Sequence, residues 1–131
     1  MNQKARIAVI GTGWWATYTH IPGLQANDNA ELVAICDSDP QRLDAAAEAY
    51  HIEKCYRDVA PMLAQENLDG AVIATNHASH YPLAKRCLEA GLHLMIEKPM
   101  TLDASEARAL LELAQQKQQD NPPSPLYQID K

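Results

Sequence analysis

Four groups of residues in this 131-residue chain combine types and spacings that can do chemistry, and each follows a short apolar run. Gly11-Thr12-Gly13 follows Ile7-Ala8-Val9-Ile10, and Asp37 follows Leu32-Val33-Ala34-Ile35-Cys36. Thr75-Asn76-His77 follows Ala71-Val72-Ile73-Ala74, and Glu97-Lys98-Pro99 follows Leu94-Met95-Ile96. A Gly-x-Gly turn between a strand and a helix lets the main chain approach a diphosphate, which the free N–H groups and dipole of the helix then attract. A carboxylate ending the next strand accepts both hydroxyls of an adenosine ribose and repels a 2′-phosphate, so Asp37 favours NAD over NADP. Asp39 adds negative charge nearby, whereas Ala16 in the third glycine position and Arg42, a cation within reach of a phosphate, moderate that preference. Lys98 at a strand end is a fixed cation able to orient or polarise a substrate oxygen, and Pro99 restricts the backbone beside it. His77 and His80 have the chemistry to bond substrate, exchange a proton or cap a helix, and His80 reads as structural. Of Trp14 and Trp15, at least one is expected to pack on the sheet and the other to border the ligand. Each feature also has an ordinary reading as a turn, a solvated carboxylate or a charged loop. Their joint placement behind strands favours a site.

The elements that must position these residues follow from periodicity. Apolar stretches read as buried strands at residues 7–10, 31–36, 54–56, 70–75 and 93–96. A helix is expected from about Trp14 into the twenties, broken by Pro22-Gly23 and by Asn27-Asp28-Asn29. Asp39 caps and Pro40 opens the second helix, whose Leu43, Ala46, Ala47 and Tyr50 recur at helical spacing. Further helices are expected at 59–65, through Leu83, Ala84, Cys87 and Leu88 to Ala90 with Gly91 behind it, and from about Asp103. The last of these has Glu106 placed for a capping box and buries Ala107, Leu110, Leu111 and Ala114. Strands separated by helices require parallel pairing with right-handed crossovers. The expectation is therefore an α/β, doubly wound (Rossmann) parallel sheet in the order 3-2-1-4-5. In such sheets ligands bind outside the carboxyl ends, at the switch between strands one and four. The chemically capable residues stand at that edge, and the opposite edge carries ordinary turns at 27–30, 67–69 and 91.

Length and composition narrow the classes. The chain fits a single domain at residues 1–118 followed by a proline-containing tail at 119–131, the start of a further segment or one docked on the sheet. Its formal net charge of −6 argues against binding nucleic acid or an anionic membrane, and no apolar run approaches the ~18 residues of a span. The first residues lead straight into a strand without a cleavage pattern. Cys36, Cys55 and Cys87 are odd in number and lack CxxC spacing, so reduced thiols in the cytoplasm are expected. No His or Cys grouping has metal-ligand spacing.

The segments IAVIGTGWWATYTHIPGL, AICDSDPQR, ATNHASH and AGLHLMIEKPM resemble the N-terminal domain of the glucose–fructose oxidoreductase/inositol dehydrogenase (Gfo/Idh/MocA) family, over about residues 6–116. The resemblance implies a nicotinamide-dependent oxidoreductase transferring hydride between the cofactor and a hydroxyl or carbonyl carbon of a sugar, polyol or related compound. It implies Gly11, Thr12, Gly13, Trp14 and Trp15 around the pyrophosphate and Asp37 at the ribose. It sets Thr75, Asn76, His77 and His80 along the nicotinamide half, with Glu97 and Lys98 at the nicotinamide and substrate. Asn76 departs from the proline usual there. Family members also carry a second, mostly antiparallel domain with substrate contacts, the oligomer interface and usually an acid–base residue. The alternative reading is a stand-alone, non-catalytic NAD(P)-binding or redox-sensing module. A CoA- or phosphate-binding domain is a third, disfavoured by Asp37 and Glu97-Lys98-Pro99. An unpaired fifth-strand edge leads to the expectation of a homodimer, or of a tail docked there through Leu126, Tyr127 and Ile129.

Overall fold

In a computed structural model, which describes residues 4–13, 16–97, 104–120 and 126–129, the alternation of strands and helices appears as expected. The strands are β1 (Ala5–Ile10), β2 (Ala30–Cys36), β3 (Cys55–Tyr56), β4 (Gly70–Ile73), β5 (His93–Glu97) and β6 (Leu126–Ile129). The helices are α1 (Ile21–Gln25), α2 (Pro40–Tyr50), α3 (Val59–Gln65), α4 (His80–Glu89) and α5 (Ala104–Asp120). The sheet runs β3-β2-β1-β4-β5-β6, so the order 3-2-1-4-5 holds and a sixth strand is added. Every pairing is parallel, β1 lying between β2 and β4 with Ile10 opposite both Cys36 and Ile73.

Each strand alternates its side chains between two packed layers. Ala8 and Ile10 of β1, Ala71 and Ile73 of β4, and Leu94 and Ile96 of β5 face Met62, Cys87, Leu88 and Leu110 of α3, α4 and α5. Val9, Ile35 and Val72 face the other way, against Ile21 of α1 and Leu43 and Ala46 of α2. Burial of a side chain the size of Ile10 contributes about 1.5–3 kcal/mol. The second layer is shorter, and beyond α1 it leaves Met95 46% exposed on β5. An apolar hollow of about 240 Å³, bordered by Ile7, Leu24, Val72 and Met95, lies there.

Three local details depart from the periodic reading. The first helix is not regular: a π-helical turn at Ala16–His20 leads into the five-residue α1. Pro22 has no N–H to continue an i→i−4 ladder, and the Tyr50 hydroxyl of α2 donates to the Thr17 carbonyl at 2.6 Å. α5 continues through the glutamine run to Asp120, a run that sequence alone left fading. Leu111, expected on the buried face of that helix with Leu110 and Ala114, is instead 50% exposed; the expected cap at Asp103 lies outside the described residues.

β6 pairs with β5 from Leu94–Leu126 to Glu97–Ile129. Removing residues 121–131 would strip β5 of that ladder and expose a hydrogen-bonding edge. We expect the truncated chain to self-associate in light scattering and to unfold at lower urea than the parent. A monodisperse, equally stable truncation would show that β6 supports nothing.

Candidate functional site

At the carboxyl edge the ladder runs one step past the strands. The Gly11 amide donates to Cys36 O at 2.7 Å, Ala74 N–H to Ile10 O at 2.8 Å, and Asp37 N–H to Tyr56 O at 3.0 Å. These bonds bring the ends of β1, β2, β3 and β4 to one level. Gly11 turns the chain there with φ +102°, and a Cβ on it would stand 2.6 Å from the Ala74 carbonyl oxygen. Glycine is thus required twice, by conformation and by contact. Gly13 differs, because a Cβ there would meet nothing within 4 Å. Its face is open to a ligand.

Thr12 and Asp37 lock the turn to β2. The Thr12 amide and hydroxyl each donate to Asp37 Oδ2 at 2.8 Å, and the Asp39 amide donates to Oδ1 at 2.9 Å. Arg42 of α2 reaches back with Nε 3.3 Å from Oδ2 and Nη2 3.2 Å from Oδ1. The Asp37 side chain is only 4% exposed, against 56% for Arg42. Burial alone would push the Asp37 carboxyl up, but the hydrogen bonds from Asp39, Arg42 and Thr12 outweigh it and hold the group below its ordinary value. Asp39 caps α2 as its sequence position implied, accepting from Gln41 N–H at 2.9 Å.

Beyond β4, Asn76 Oδ1 accepts from the Ser79 amide at 3.1 Å and the Ser79 hydroxyl at 2.8 Å, which shapes the 3₁₀ turn His77–Ser79. His80 is fully buried at the start of α4, its Nε2 3.2 Å from the Thr75 carbonyl oxygen. It contacts the loop from the core side.

Gly11, Gly13, Asp37, Thr75 and Asn76 line one cavity of about 610 Å³, within the range of small-molecule sites. Arg42, Arg57, Asp58 and Leu83 also line it, and His80 does not. Arg57 and Asp58 follow β3, a strand end that the sequence reading passed over although the same edge rule applies to it. Cys36 borders the cavity as well, but burial, followed by Asp58 and Asp37, pushes its thiol up to about 12, so it is no nucleophile at neutral pH. Trp14, Trp15, Lys98 and Pro99 lie outside the described residues, as do the side chains of His77 and Glu97. Among the described residues no three His, Cys, Asp or Glu side chains gather as a metal site, and no helix is long and apolar enough to cross a membrane.

Residues 5–120 match the oxidoreductase family with an NAD-binding Rossmann fold, Gfo/Idh/MocA. The chain belongs to this family. The D-apiose dehydrogenase of Paraburkholderia graminis is 41% identical over 104 residues, which are 79% of this chain and 28% of that protein. An oxidoreductase from Agrobacterium radiobacter, solved with NAD+, L-tartaric acid and magnesium, superposes with a TM-score of 0.87 at 28% identity, over 96% of this chain and 35% of its own. The WlbA dehydrogenase from Chromobacterium violaceum, solved with NADH and UDP-GlcNAcA, gives 0.86 at 29% identity, over 98% and 36%. The chain therefore spans about 30% of the length of the curated relatives it matches.

Two variants test the architecture of the edge. Gly11→Ala meets a backbone oxygen and a left-handed φ together, so a loss of about 3 kcal/mol or more is expected in urea unfolding. Asp37→Asn removes a carboxylate whose pKa is depressed by folding. Its stabilisation is present above the unfolded value of about 3.9 and lost as the pH falls towards the folded value. The wild type should therefore exceed Asp37→Asn by ~2 kcal/mol at neutral pH, with the gap narrowing in acid. A gap that widens below pH 4 would contradict the assignment.

Proposed function

We propose that this chain is the cofactor-binding domain of a nicotinamide-dependent oxidoreductase acting on a sugar- or polyol-like small molecule. The observation that carries the reading is the cavity at the strand-switch edge, with an unobstructed Gly13 face at one part and the Asp37 carboxylate at another. The family membership supports the same ligand class. When bound, the nicotinamide supplies a two-electron hydride acceptor or donor. The chain's own residues hold and orient it. Gly11, Thr12 and Gly13, with Trp14 and Trp15, would hold the diphosphate, and Asp37 the adenosine ribose, with NAD favoured over NADP. Thr75, Asn76 and His77 would flank the nicotinamide half, His80 acting through the Thr75 carbonyl. Glu97 ends β5 at the same edge, and Lys98, next in the sequence, is the catalytic residue of this reading, a cation that would steady negative charge developing on a substrate oxygen.

Groups that choose the substrate and handle its proton are expected in further chain, since the matched relatives are about three times as long. The apolar hollow over β4 and β5 is a surface that such a domain, or another copy in a homo-oligomer, would cover. Three free cysteines accord with a reducing, cytoplasmic location.

Titration with NADH should quench the emission of Trp14 and Trp15 through energy transfer, and CoA should not bind. Within an enzyme that carries the second domain, Lys98→Ala should lower turnover by ~10²-fold or more while changing NADH affinity little. Absence of NADH binding would remove the cofactor reading. Unchanged turnover in Lys98→Ala would remove that residue from the chemistry, and NADH binding without turnover of any polyol by a two-domain form would favour a sensor.

A further inference from the structure

The two glycines of the turn after β1 are held in different ways. Gly11 is fixed by its left-handed φ and by the Ala74 carbonyl packed against it. Gly13 has no such restraint: a Cβ on it would meet nothing within 4 Å, so packing does not fix its peptide. Hydrogen bonds take the place of packing. The amide and the hydroxyl of Thr17 both donate to the Gly13 carbonyl oxygen, each at 3.1 Å, and so engage its two lone pairs. A carbonyl swung into the cavity would instead turn the negative end of its dipole on an anionic ligand.

Thr17 is in turn held from outside its own helix. It lies in the π-helical turn Ala16–His20, a register in which the amide of residue i+5 meets the carbonyl of residue i. For Thr17 that amide would belong to residue 22, which is proline and has no N–H. The Tyr50 hydroxyl, on the last residue of α2, donates to this same carbonyl at 2.6 Å. Gln25 of α1 adds a return bond, its Nε2 donating to the Tyr50 carbonyl at 2.8 Å. We infer that Tyr50 is a positioning residue for diphosphate binding, acting through Thr17 to keep the Gly13 peptide in the geometry that leaves its face open to the ligand. The inference rests on the reading of the cavity as a dinucleotide site. Tyr50 stands outside the cavity lining, and its ring packs against the core formed by Ile21, Leu43 and Ala46. The hydroxyl and the ring therefore have separable tasks: the ring closes the layer of α1 and α2, and the hydroxyl sets the turn that follows β1.

The test compares the whole chain as wild type, Tyr50→Phe, Thr17→Val and the double variant, with NADH and ADP titrated by calorimetry and urea unfolding measured alongside. Tyr50→Phe keeps the ring and loses the hydroxyl. It should weaken NADH and ADP alike by about fivefold to tenfold, since the two ligands share the diphosphate. Thr17→Val should do the same, and Thr17→Ser, which keeps both donors, should recover most of that loss. Because the two hydroxyls act in series, the double variant should fall well short of the product of the single effects. A tyrosine that only supports the fold would lower the urea midpoint and leave both affinities at the wild-type value, and that result would overturn the inference. Single effects that multiply in the double variant, or a loss for NADH without one for ADP, would overturn it as well. A wild type that binds neither ligand would refute the dinucleotide reading itself, a failure distinct from a wild type that binds both and is indifferent to Tyr50→Phe.

Discussion

The carboxylate of Asp37 joins the turn after β1, the end of β2 and the first turn of α2 through buried hydrogen bonds. A buried charge is tolerated only when hydrogen bonds replace its hydration. Thr12 supplies two of them, so the threonine between the glycines is set by the needs of β2 rather than by its own strand. The same carboxylate holds the Asp39 amide and so places the capping residue of α2. Loss of the charge would loosen the glycine turn, the α2 start and the adenosine end of the cavity together.

Past β4 the loop is organised by a separate set of bonds. Asn76 and Ser79 close a short turn, and His80 reaches the Thr75 carbonyl from within the core. None of these groups depends on Asp37. The cavity therefore has two halves, each pre-shaped by its own polar network, and both are anchored to the central strands β1 and β4. With the Cys36 thiol kept neutral by burial, the reactive character of this edge falls to oxygen acceptors and cations.

Much of this was legible in the residues. Four apolar runs and the helical spacing of Leu43, Ala46 and Tyr50 define a parallel sheet, and the edge rule then collects Gly11, Gly13, Asp37 and Thr75. The pairing of Arg42 with Asp37 was not legible as a fork, because they stand five positions apart across a strand end, a turn and a helix cap. Arg57 and Asp58 were missed although β3 ends on the same edge. The first helix departs in a different place from the reading: the sequence puts the break at Pro22-Gly23, whereas both residues lie within α1, and the irregular turn comes before them at Ala16–His20, supported by a hydroxyl from the distant Tyr50. β6 lies along the edge of β5, where the sequence offered a docked tail through Leu126, Tyr127 and Ile129 as one of two outcomes.

The all-parallel pairing also fixes an order of events during folding. With no hairpins, every neighbouring pair of strands must close a long loop, and the central one joins Ile7 to Gly70. The entropy of such closures grows only slowly with length, but it precedes any reward from contact and makes non-local topologies slow to form. Gly11 is packed against the Ala74 carbonyl, so its turn is completed only after β4 has docked beside β1. The first fifty-odd residues emerging from a ribosome contain the glycines and Asp37 but lack the wall that gives the turn its shape. Ligand binding at this edge consequently reports on the assembled sheet, not on the N-terminal half alone.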